Sequence, residues 1–502
     1  MKLHERKHER KRRSKFNRGF VTVFYLLFCF PFVSCSTESV EQVPEIRLPQ
    51  GKADGLESVQ PEDCPGGAPR LVNGRPAAWT IMVFQAGDND LEDYLDKDVI
   101  QMEMGHNGTR QVNVLVQQDK LSEPGVWRWE VRNNNDSETI GSKLVGYSDQ
   151  DSDTGDPQTL VGFGEWAALC YPAEYYMLIV SGHGTGWSGG DFQDEEDRRS
   201  AEGNGEPYRA IAYDWTSGNS LNIEDLAIAL HIIADSVRRE YDPPYMNRLV
   251  IYGSDACLMQ TVEVVHALEN PVTYVIGSEE TEPAEGWPYS TILRELTARP
   301  FAYARAPNEL ARMIVEKYAE SYGPYGGQGH HTGLTLSAVN LDYSRRLANS
   351  MTKVTSLLTE LRVDSEPGEE LDAYIWDARS KSPLYTDAYV DLPEFLMRLR
   401  ADMIEAGLMP RRYQHWNGDE RFRSLRNAID ETLDRLFTMI IANNEEISRV
   451  PDGKADGLSI YFPDWKYSRV LYLEDYQRSS FSQKTGWGIF LEELFETRYP
   501  GW

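Results

Sequence analysis

Two apolar runs of strand length, each followed by a reactive side chain, constrain this chain more than any other feature. Residues 175–181 lead to His183 in a glycine-rich turn, and residues 249–253 lead to Cys257. Strands that are buried on both faces are continuously apolar, as these runs are. In open α/β sheets, reactive groups collect at the carboxyl ends of strands. The sequence therefore predicts neighbouring parallel strands that bring an imidazole and a thiol together, as nucleophilic catalysis by cysteine requires.

Strands and helices alternate through the middle of the chain, which favours an α/β fold with a mostly parallel sheet between layers of helices. Strands are predicted at residues 79–85, 112–118, 175–181, 211–213, 249–253, 272–277, 332–341 and 457–462, with a hairpin at 127–131 and 143–147. Helices are predicted at residues 91–104, 157–169, 222–239, 258–268, 307–322, 343–361 and 419–443.

The first 35 residues have the pattern of an export signal. A basic segment precedes an uncharged apolar stretch, residues 20–33, that is short for a membrane span. The stretch ends in Phe-Val-Ser-Cys, which resembles the lipobox of bacterial lipoproteins and predicts lipidation of Cys35. Ordinary secretion and an uncleaved anchor are the alternatives. Residues 36–75, rich in Pro, Glu, Ser and Gly, predict a flexible tether, so membrane contact is expected through the N-terminal lipid only.

The charge of the chain excludes one class of partner. Its formal net charge is −28, although the first 34 residues are basic. So acidic a surface repels the phosphates of nucleic acids, and we expect no nucleic-acid ligand. The same surface favours cationic partners or substrates, while solubility alone accounts for most of these charges.

The five cysteines indicate at least one thiol outside an intramolecular disulfide. Cys29 would leave with the leader and Cys35 would carry lipid, so Cys64, Cys170 and Cys257 remain. Because three is an odd number, at least one of them is free or paired between chains. Neither Cys64 nor Cys170 has the spacing of a metal ligand, and we predict no metal or other cofactor.

An ordered set of short stretches carries a resemblance to a known family. It includes Ser-Gly-His-Gly at residues 181–184 and Asp-Ala-Cys-Leu-Met at residues 255–259. The other stretches are residues 79–83, 88–92, 153–160, 186–187, 278–289 and 457–463. In these stretches the chain resembles the clostripain-like cysteine peptidases of the caspase-like clan. The resemblance implies a caspase-like catalytic domain at residues 76–340. It leaves residues 341–502 as a C-terminal region that packs on that domain or completes it.

The resemblance also implies roles for single residues. Cys257 would be the nucleophile and His183 the general base and acid of a catalytic dyad, so no third member is predicted. The amide N–H groups of Gly184 and Cys257 would form the oxyanion hole. Asp255, with Glu285 in the loop after the next strand, would line a pocket for Arg or Lys at P1. These roles predict a secreted or lipid-anchored endopeptidase that forms a thioester acyl-enzyme and cleaves protein or peptide substrates.

Several alternatives stay open at the level of sequence. The acidic segment 191–197, followed by Arg198 and Arg199, would suit self-cleavage by an enzyme with basic specificity, or is an ordinary solvated loop. Some relatives use calcium, but residues 151–162 fail the EF-hand pattern. The chain could also be a catalytically silent surface-binding lipoprotein on a peptidase-like scaffold. A third alternative is a transpeptidase or ligase that uses the same thioester.

Overall fold

The structure, a computed structural model, describes residues 60–123, 125–187, 210–240, 249–329, 331, 333–363, 367–386, 388–411, 415, 418–445, 455–464 and 473–498. These residues lie within one compact unit, residues 48–502. No helix in these ranges combines the length and the apolar character that a membrane span needs. The predicted lipidation site Cys35 and the predicted cleavage sites Arg198 and Arg199 lie outside the described residues.

Nine strands form the central sheet in the order β13-β10-β9-β8-β5-β1-β2-β3-β4. The five central strands are parallel, and an antiparallel pair flanks them at each edge. Their bounds are β1 Ala77–Gly87, β2 Val112–Lys120, β3 Val126–Glu130, β4 Lys143–Ser148, β5 Ala173–Ser181, β8 Leu249–Asp255, β9 Val272–Gly277, β10 Thr335–Asn340 and β13 Ile440–Glu445. The mostly parallel sheet predicted from the sequence is therefore confirmed.

Smaller strands form two further sheets. The short strands β6 and β7 pair with each other, and β11, β12 and β14 form a three-stranded sheet. Their bounds are β6 Ile211–Asp214, β7 Asn219–Leu221, β11 Leu384–Tyr385, β12 Tyr389–Asp391 and β14 Ser459–Tyr461.

Helices cover both faces of the central sheet. Alternate residues of β1 belong to two separate apolar clusters, as the two-residue period of a strand requires: Met82 and Phe84 to one, Ile81 and Val83 to the other. The helices are α1 Glu92–Gly105, α2 Pro157–Cys170, α3 Ile223–Glu240, α4 Val262–Ala267, α5 Tyr289–Ala298, α6 Pro300–Arg305, α7 Pro307–Tyr322, α8 Ser344–Val363, α9 Pro367–Lys381, α10 Leu392–Glu405, α11 Glu420–Met439, α12 Leu473–Arg478, α13 Ser480–Thr485 and α14 Trp487–Arg498.

The C-terminal region contributes directly to the central sheet. The sequence predicts one helix over residues 419–443, but α11 ends at Met439 and β13 begins at Ile440. This part of the prediction is wrong because β13 pairs with β10, which gives the β-branched Ile440 and Ile441 a sheet position. Further along, the Ser459 N–H donates to the Gln260 carbonyl across 3.1 Å. Residues from both predicted regions therefore build one body.

A disulfide fastens the N-terminal end of the described chain. Cys64 bonds to Cys170 at the end of α2, and both side chains are buried. The Arg70 N–H also donates to the Cys170 carbonyl at 2.8 Å. Residues 60–75, which the sequence assigns to a flexible tether, are thus attached to the body. Cys257 is the free cysteine among the described ones, which agrees with the prediction of at least one unpaired thiol.

Candidate active site

The pairing of β5 with β8 sets the geometry of the site. The two strands are parallel neighbours, and Ser181 lies opposite Asp255 at their carboxyl ends. His183 and Cys257 each follow two residues later, as the two apolar runs predict. Both side chains line one cavity of about 110 Å³, here called the His–Cys cavity. It is lined by Leu91, Leu95, Asp98, Ser181, Gly182, His183, Asp255, Ala256, Cys257, Glu282, Pro283, Ala284 and Gly286.

Gly184 brings the histidine turn against the backbone of the cysteine loop. A Cβ atom at Gly184 would lie 2.5 Å from the carbonyl oxygen of Cys257, so no other residue fits without displacement. Gly184 and Ile211 form an isolated antiparallel β-bridge. The two hydrogen bonds of this bridge are made by the neighbouring residues: the Thr185 N–H donates to the Ala210 carbonyl, and the Ala212 N–H donates to the His183 carbonyl. The bridge therefore leaves the Gly184 N–H out of its two hydrogen bonds.

The imidazole of His183 has a carboxylate partner that the sequence prediction did not include. Its Nε2 lies 2.6 Å from Oδ1 of Asp90, and the hydrogen bond lowers the pKa of Asp90. Asp90 follows β1, the strand next to β5. The turn is fixed by Asn89, whose side-chain amide donates to the carbonyls of Ala86 and Tyr213, both at 2.9 Å. A carboxylate on Nε2 leaves Nδ1 as the nitrogen that can exchange a proton with a reacting group.

The thiol of Cys257 is partly buried. Its Sγ accepts a hydrogen bond from the Glu282 N–H at 3.2 Å. Burial raises the pKa of the Cys257 thiol to about 12, and the charges of Glu282, Glu280 and Asp255 act in the same direction. The next residue, Leu258, has a left-handed φ of 63°, a strained conformation for a branched side chain that occurs most often at functional sites. The resting thiol is therefore neutral near pH 7.

Asp255 is buried at the bottom of the same cavity. Its Oδ2 accepts a hydrogen bond from the Tyr289 hydroxyl at 2.6 Å and a longer one from the Trp287 N–H. Burial nevertheless raises the pKa of Asp255 to about 6. Gly286, with φ of 59°, closes the cavity beside it, because a Cβ there would lie 3.0 Å from both carboxylate oxygens. The predicted pocket acid is thus at the cavity.

Glu285, the second acid predicted for the pocket, is exposed and does not line the His–Cys cavity. The turn at Gly286 sends it outward, and its carbonyl accepts a hydrogen bond from the Gln328 amide at 2.9 Å. The acid that this loop contributes to the cavity is Glu282, three residues earlier. A further carboxylate, Asp98 of α1, also lines the cavity and is only 2% exposed. The sequence prediction missed both.

A signal for Asp98 does exist in the sequence. The residue lies three positions after Leu95 and four before Met102, on the apolar face that packs α1 against the sheet. A carboxylate at such a position is costly to bury, so it indicates a special environment.

No group of three or more His, Cys, Asp or Glu side chains within the described ranges could hold a metal ion.

Comparisons with known proteins place this geometry in a family. The sequence pattern of the clostripain family of peptidases matches residues 83–493. Clostripain from Hathewaya histolytica is 25% identical over 203 residues, which is 37% of this chain and 35% of that protein. The alignment thus spans about a third of the length of this curated relative.

Two solved structures share the fold. One is a secreted C11 cysteine protease from Bacteroides thetaiotaomicron in complex with an irreversible peptide inhibitor, with a TM-score of 0.53 and 19% identity. The other is an inactive zymogen C11 protease from Parabacteroides distasonis, with a TM-score of 0.52 and 19% identity. Each comparison covers 82% of this chain and 99% of the other. Because the family pattern extends over most of the sequence, this chain belongs to the clostripain family.

Proposed function

We propose that this protein is an exported cysteine endopeptidase that cleaves after Arg or Lys. The observation that carries the proposal is the parallel pairing of β5 with β8, which brings His183 and Cys257 to one small cavity lined by buried carboxylates. Membership of the clostripain family supports the same chemistry. The substrates are proteins or peptides with a basic residue at P1.

In the proposed reaction, His183 accepts the thiol proton of Cys257 as the thiolate attacks the scissile carbonyl. The neutral resting thiol makes this base necessary, because only the thiolate is nucleophilic. The imidazolium then donates its proton to the leaving amine, and a thioester remains on Cys257. His183 next removes a proton from the water that hydrolyses the thioester. Asp90 orients the imidazole and stabilises its charged form through Nε2.

The negative charge on the substrate oxygen is stabilised by the amide N–H groups of Gly184 and Cys257. The bridge hydrogen bonds around Gly184 do not use its N–H, which supports this assignment. Asp255 contributes negative charge to the P1 pocket. Glu285 would act only at the mouth of the pocket, because its side chain is exposed.

The Cys64–Cys170 disulfide supports export, because structural disulfides persist in oxidising compartments and are rare in the cytosol. The basic and apolar leader supports the same route, and we propose lipidation at Cys35 as the anchor. We also propose self-cleavage after Arg198 or Arg199, since both residues fit the proposed specificity.

The test compares the purified wild type with a Cys257→Ala variant on peptide reporters that carry Arg, Lys or norleucine at P1. We expect the wild type to cleave the Arg and Lys reporters and the variant to cleave none, with identical circular dichroism spectra. Mass spectrometry of new termini would reveal cleavage after Arg198 or Arg199 in the wild type only. Turnover by the variant, or a folded wild type that cleaves no basic reporter, would overturn the proposal.

A further inference from the structure

Three acidic side chains converge on the His–Cys cavity and are here called the carboxylate trio: Asp98, Asp255 and Glu282. They come from different elements, namely α1, the end of β8 and the loop after β9. Asp98 is 2% exposed and Asp255 is 5% exposed. Three carboxylates around about 110 Å³ repel one another when ionised and are poorly solvated, which makes their close approach costly.

The Glu282 carboxylate has buried oxygens at the wall of the cavity. The group lies beside Asp255 and Trp287, yet neither of its buried oxygens makes a well-formed hydrogen bond to the described part of the chain. Leaving a buried polar group without a partner is costly, and more so for a charged group. Such a group at the wall of an open cavity is explained by a ligand that supplies donors.

The backbone of Glu282 links this carboxylate to the reacting sulfur. Its N–H donates to Sγ of Cys257, so the same residue contacts the thiol and faces the acid pair. A ligand that reaches Glu282 is therefore already next to the nucleophile. The bottom of the cavity is fixed by Tyr289, whose hydroxyl donates to Asp255.

We propose that Asp98 and Glu282, acting with Asp255, are the specificity-determining residues that bind a guanidinium group at P1, and that this binding releases protons from the carboxylate trio. The inference rests on the proposed function and names the residues and the protons of its P1 site. A guanidinium has five N–H donors in a planar fork and can bond to more than one carboxylate at once. It would give Glu282 the hydrogen bonds that it lacks.

Proton release follows from the environment of the trio. Burial, reinforced by the charge of Asp255, raises the pKa of Asp98 and of Glu282 well above the ordinary range. The cavity therefore favours the protonated forms of Asp98 and Glu282 more than water does. A bound guanidinium favours their ionised forms, so each carboxyl group that becomes ionised gives its proton to the solvent. Because protons leave on binding, affinity for an arginyl substrate increases with pH.

Other titratable groups face the trio but do not explain the effect. Tyr289 of α5 and Tyr318 and Tyr322 of α7 lie close to it, and burial raises the pKa of each phenol. They stay neutral throughout the accessible pH range. Glu280, the Cys257 thiol and the His183 imidazole are the remaining neighbours. The thiol and imidazole can be separated from the trio by using an uncharged isostere of the substrate.

The first experiment measures kcat and KM for an arginyl reporter and for its uncharged isostere with citrulline at P1. The variants are Glu282→Gln, Asp98→Asn and Glu285→Gln, with Glu309→Gln on the exposed side of α7 as the matched control. We expect Glu282→Gln and Asp98→Asn each to raise KM for the arginyl reporter by about 10-fold or more, since each variant loses a charge-assisted hydrogen bond to the guanidinium. The kcat should change less than KM. The ratio of kcat/KM for the arginyl reporter to kcat/KM for the citrulline reporter should decrease.

The alkylation rate of Cys257 by iodoacetamide serves as a second readout, because a variant that disturbs the whole site would change it. Rates like those of the wild type, together with the higher KM, would support a role in P1 binding. If Glu285→Gln raises KM while Glu282→Gln and Asp98→Asn do not, the inference is overturned and the proposed function stands. If the wild type cleaves no basic reporter, the proposed function itself fails.

The second experiment measures protons directly. The inactive Cys257→Ala protein is titrated with an arginine peptide amide, and with its citrulline isostere, by calorimetry in two buffers of different ionisation enthalpy. We expect a net release of about one proton with the arginine peptide near pH 7 and less with the isostere. Equal proton release for the two peptides would overturn the inference that guanidinium binding releases protons from the carboxylate trio.

Discussion

The cysteine half and the histidine half of this site are built in opposite ways. Cys257 lies among buried carboxylates, and burial raises the pKa of its thiol to about 12. His183 lies on a glycine-rich turn with 31% of its side chain exposed, and its partner Asp90 is 62% exposed. Cys257 is thus positioned by packing, whereas His183 is positioned by one hydrogen bond at the surface.

This difference assigns different tasks to the two halves. A neutral thiol reacts slowly with small electrophiles, because the thiolate is the reactive form. The His183 imidazole, by contrast, is open to solvent. Activity then depends on how closely the exposed half approaches the buried half, and the following predictions test that dependence.

The largest effect should come from removing the base. We expect His183→Ala to lower kcat for an arginyl reporter by about 100- to 10,000-fold, because a neutral buried thiol cannot ionise without an acceptor. His231→Ala, on helix α3 away from the cavity, is the matched control. The measurement is steady-state turnover at pH 7. A His183→Ala enzyme within a few-fold of the wild type would show that the thiol is already ionised and would remove the contrast between the halves.

The pH dependence of thiol labelling tests the cysteine half alone. A thiol with an ordinary pKa near 8.5 reaches its maximal alkylation rate by about pH 9.5. Because the pKa of Cys257 is raised to about 12, its iodoacetamide rate should still increase about 10-fold per pH unit from pH 7 to pH 10, nearly 1,000-fold in all. Mass spectrometry of the Cys257 peptide gives the rate. The same cysteine in urea-unfolded protein is the control, and a native plateau near pH 9 would contradict the buried thiol.

The contact between the two halves can be changed at a single atom. Gly184→Ala places a methyl group 2.5 Å from the Cys257 carbonyl oxygen, so the turn must move away from the cysteine loop. We expect kcat to fall about 100- to 1,000-fold, the loss typical for one oxyanion donor. Gly327→Ala is the control, since a Cβ there meets nothing within 4 Å. Unchanged turnover in Gly184→Ala would mean that the Gly184 N–H takes no part in catalysis.

The fold and the meeting of His183 with Cys257 could be predicted because they depend on local patterns. Continuous apolar runs specify buried parallel strands, and reactive residues that follow two such runs meet when the strands are neighbours. Strand β13 could not be predicted in this way, because Ile440 and Ile441 continue an apolar helical pattern. Only the free edge of β10, distant in sequence, converts them into a strand. The Cys64–Cys170 pair is likewise a contact across 106 residues without a local signature.

The acids of the site show where prediction from pattern ends. Glu285 and Glu282 lie on one loop, and the turn at Gly286 decides which of them faces the cavity. That choice depends on tertiary contacts such as the bonds from Gln328 and Tyr322 to the Gly286 carbonyl. Asp90 follows a predicted strand, so its position at the carboxyl end of the sheet can be predicted from the sequence. Its pairing with His183 cannot be predicted in this way.

We expect the smallest effect from a change at Asp90. This change tests whether Cys257 and His183 act as a dyad or whether Asp90 is a third member of the catalytic group. Asp90→Asn keeps the size of the side chain but removes the charge that stabilises the imidazolium through Nε2. We expect kcat to fall about 10-fold with little change in KM, because the carboxylate is exposed and water replaces part of its effect. Asp93→Asn, an exposed acid one turn away, is the control. The measurement is steady-state turnover of the arginyl reporter at pH 7. Unchanged kcat would mean that His183 is oriented by its turn alone, and the histidine half would then be a base without a positioning residue.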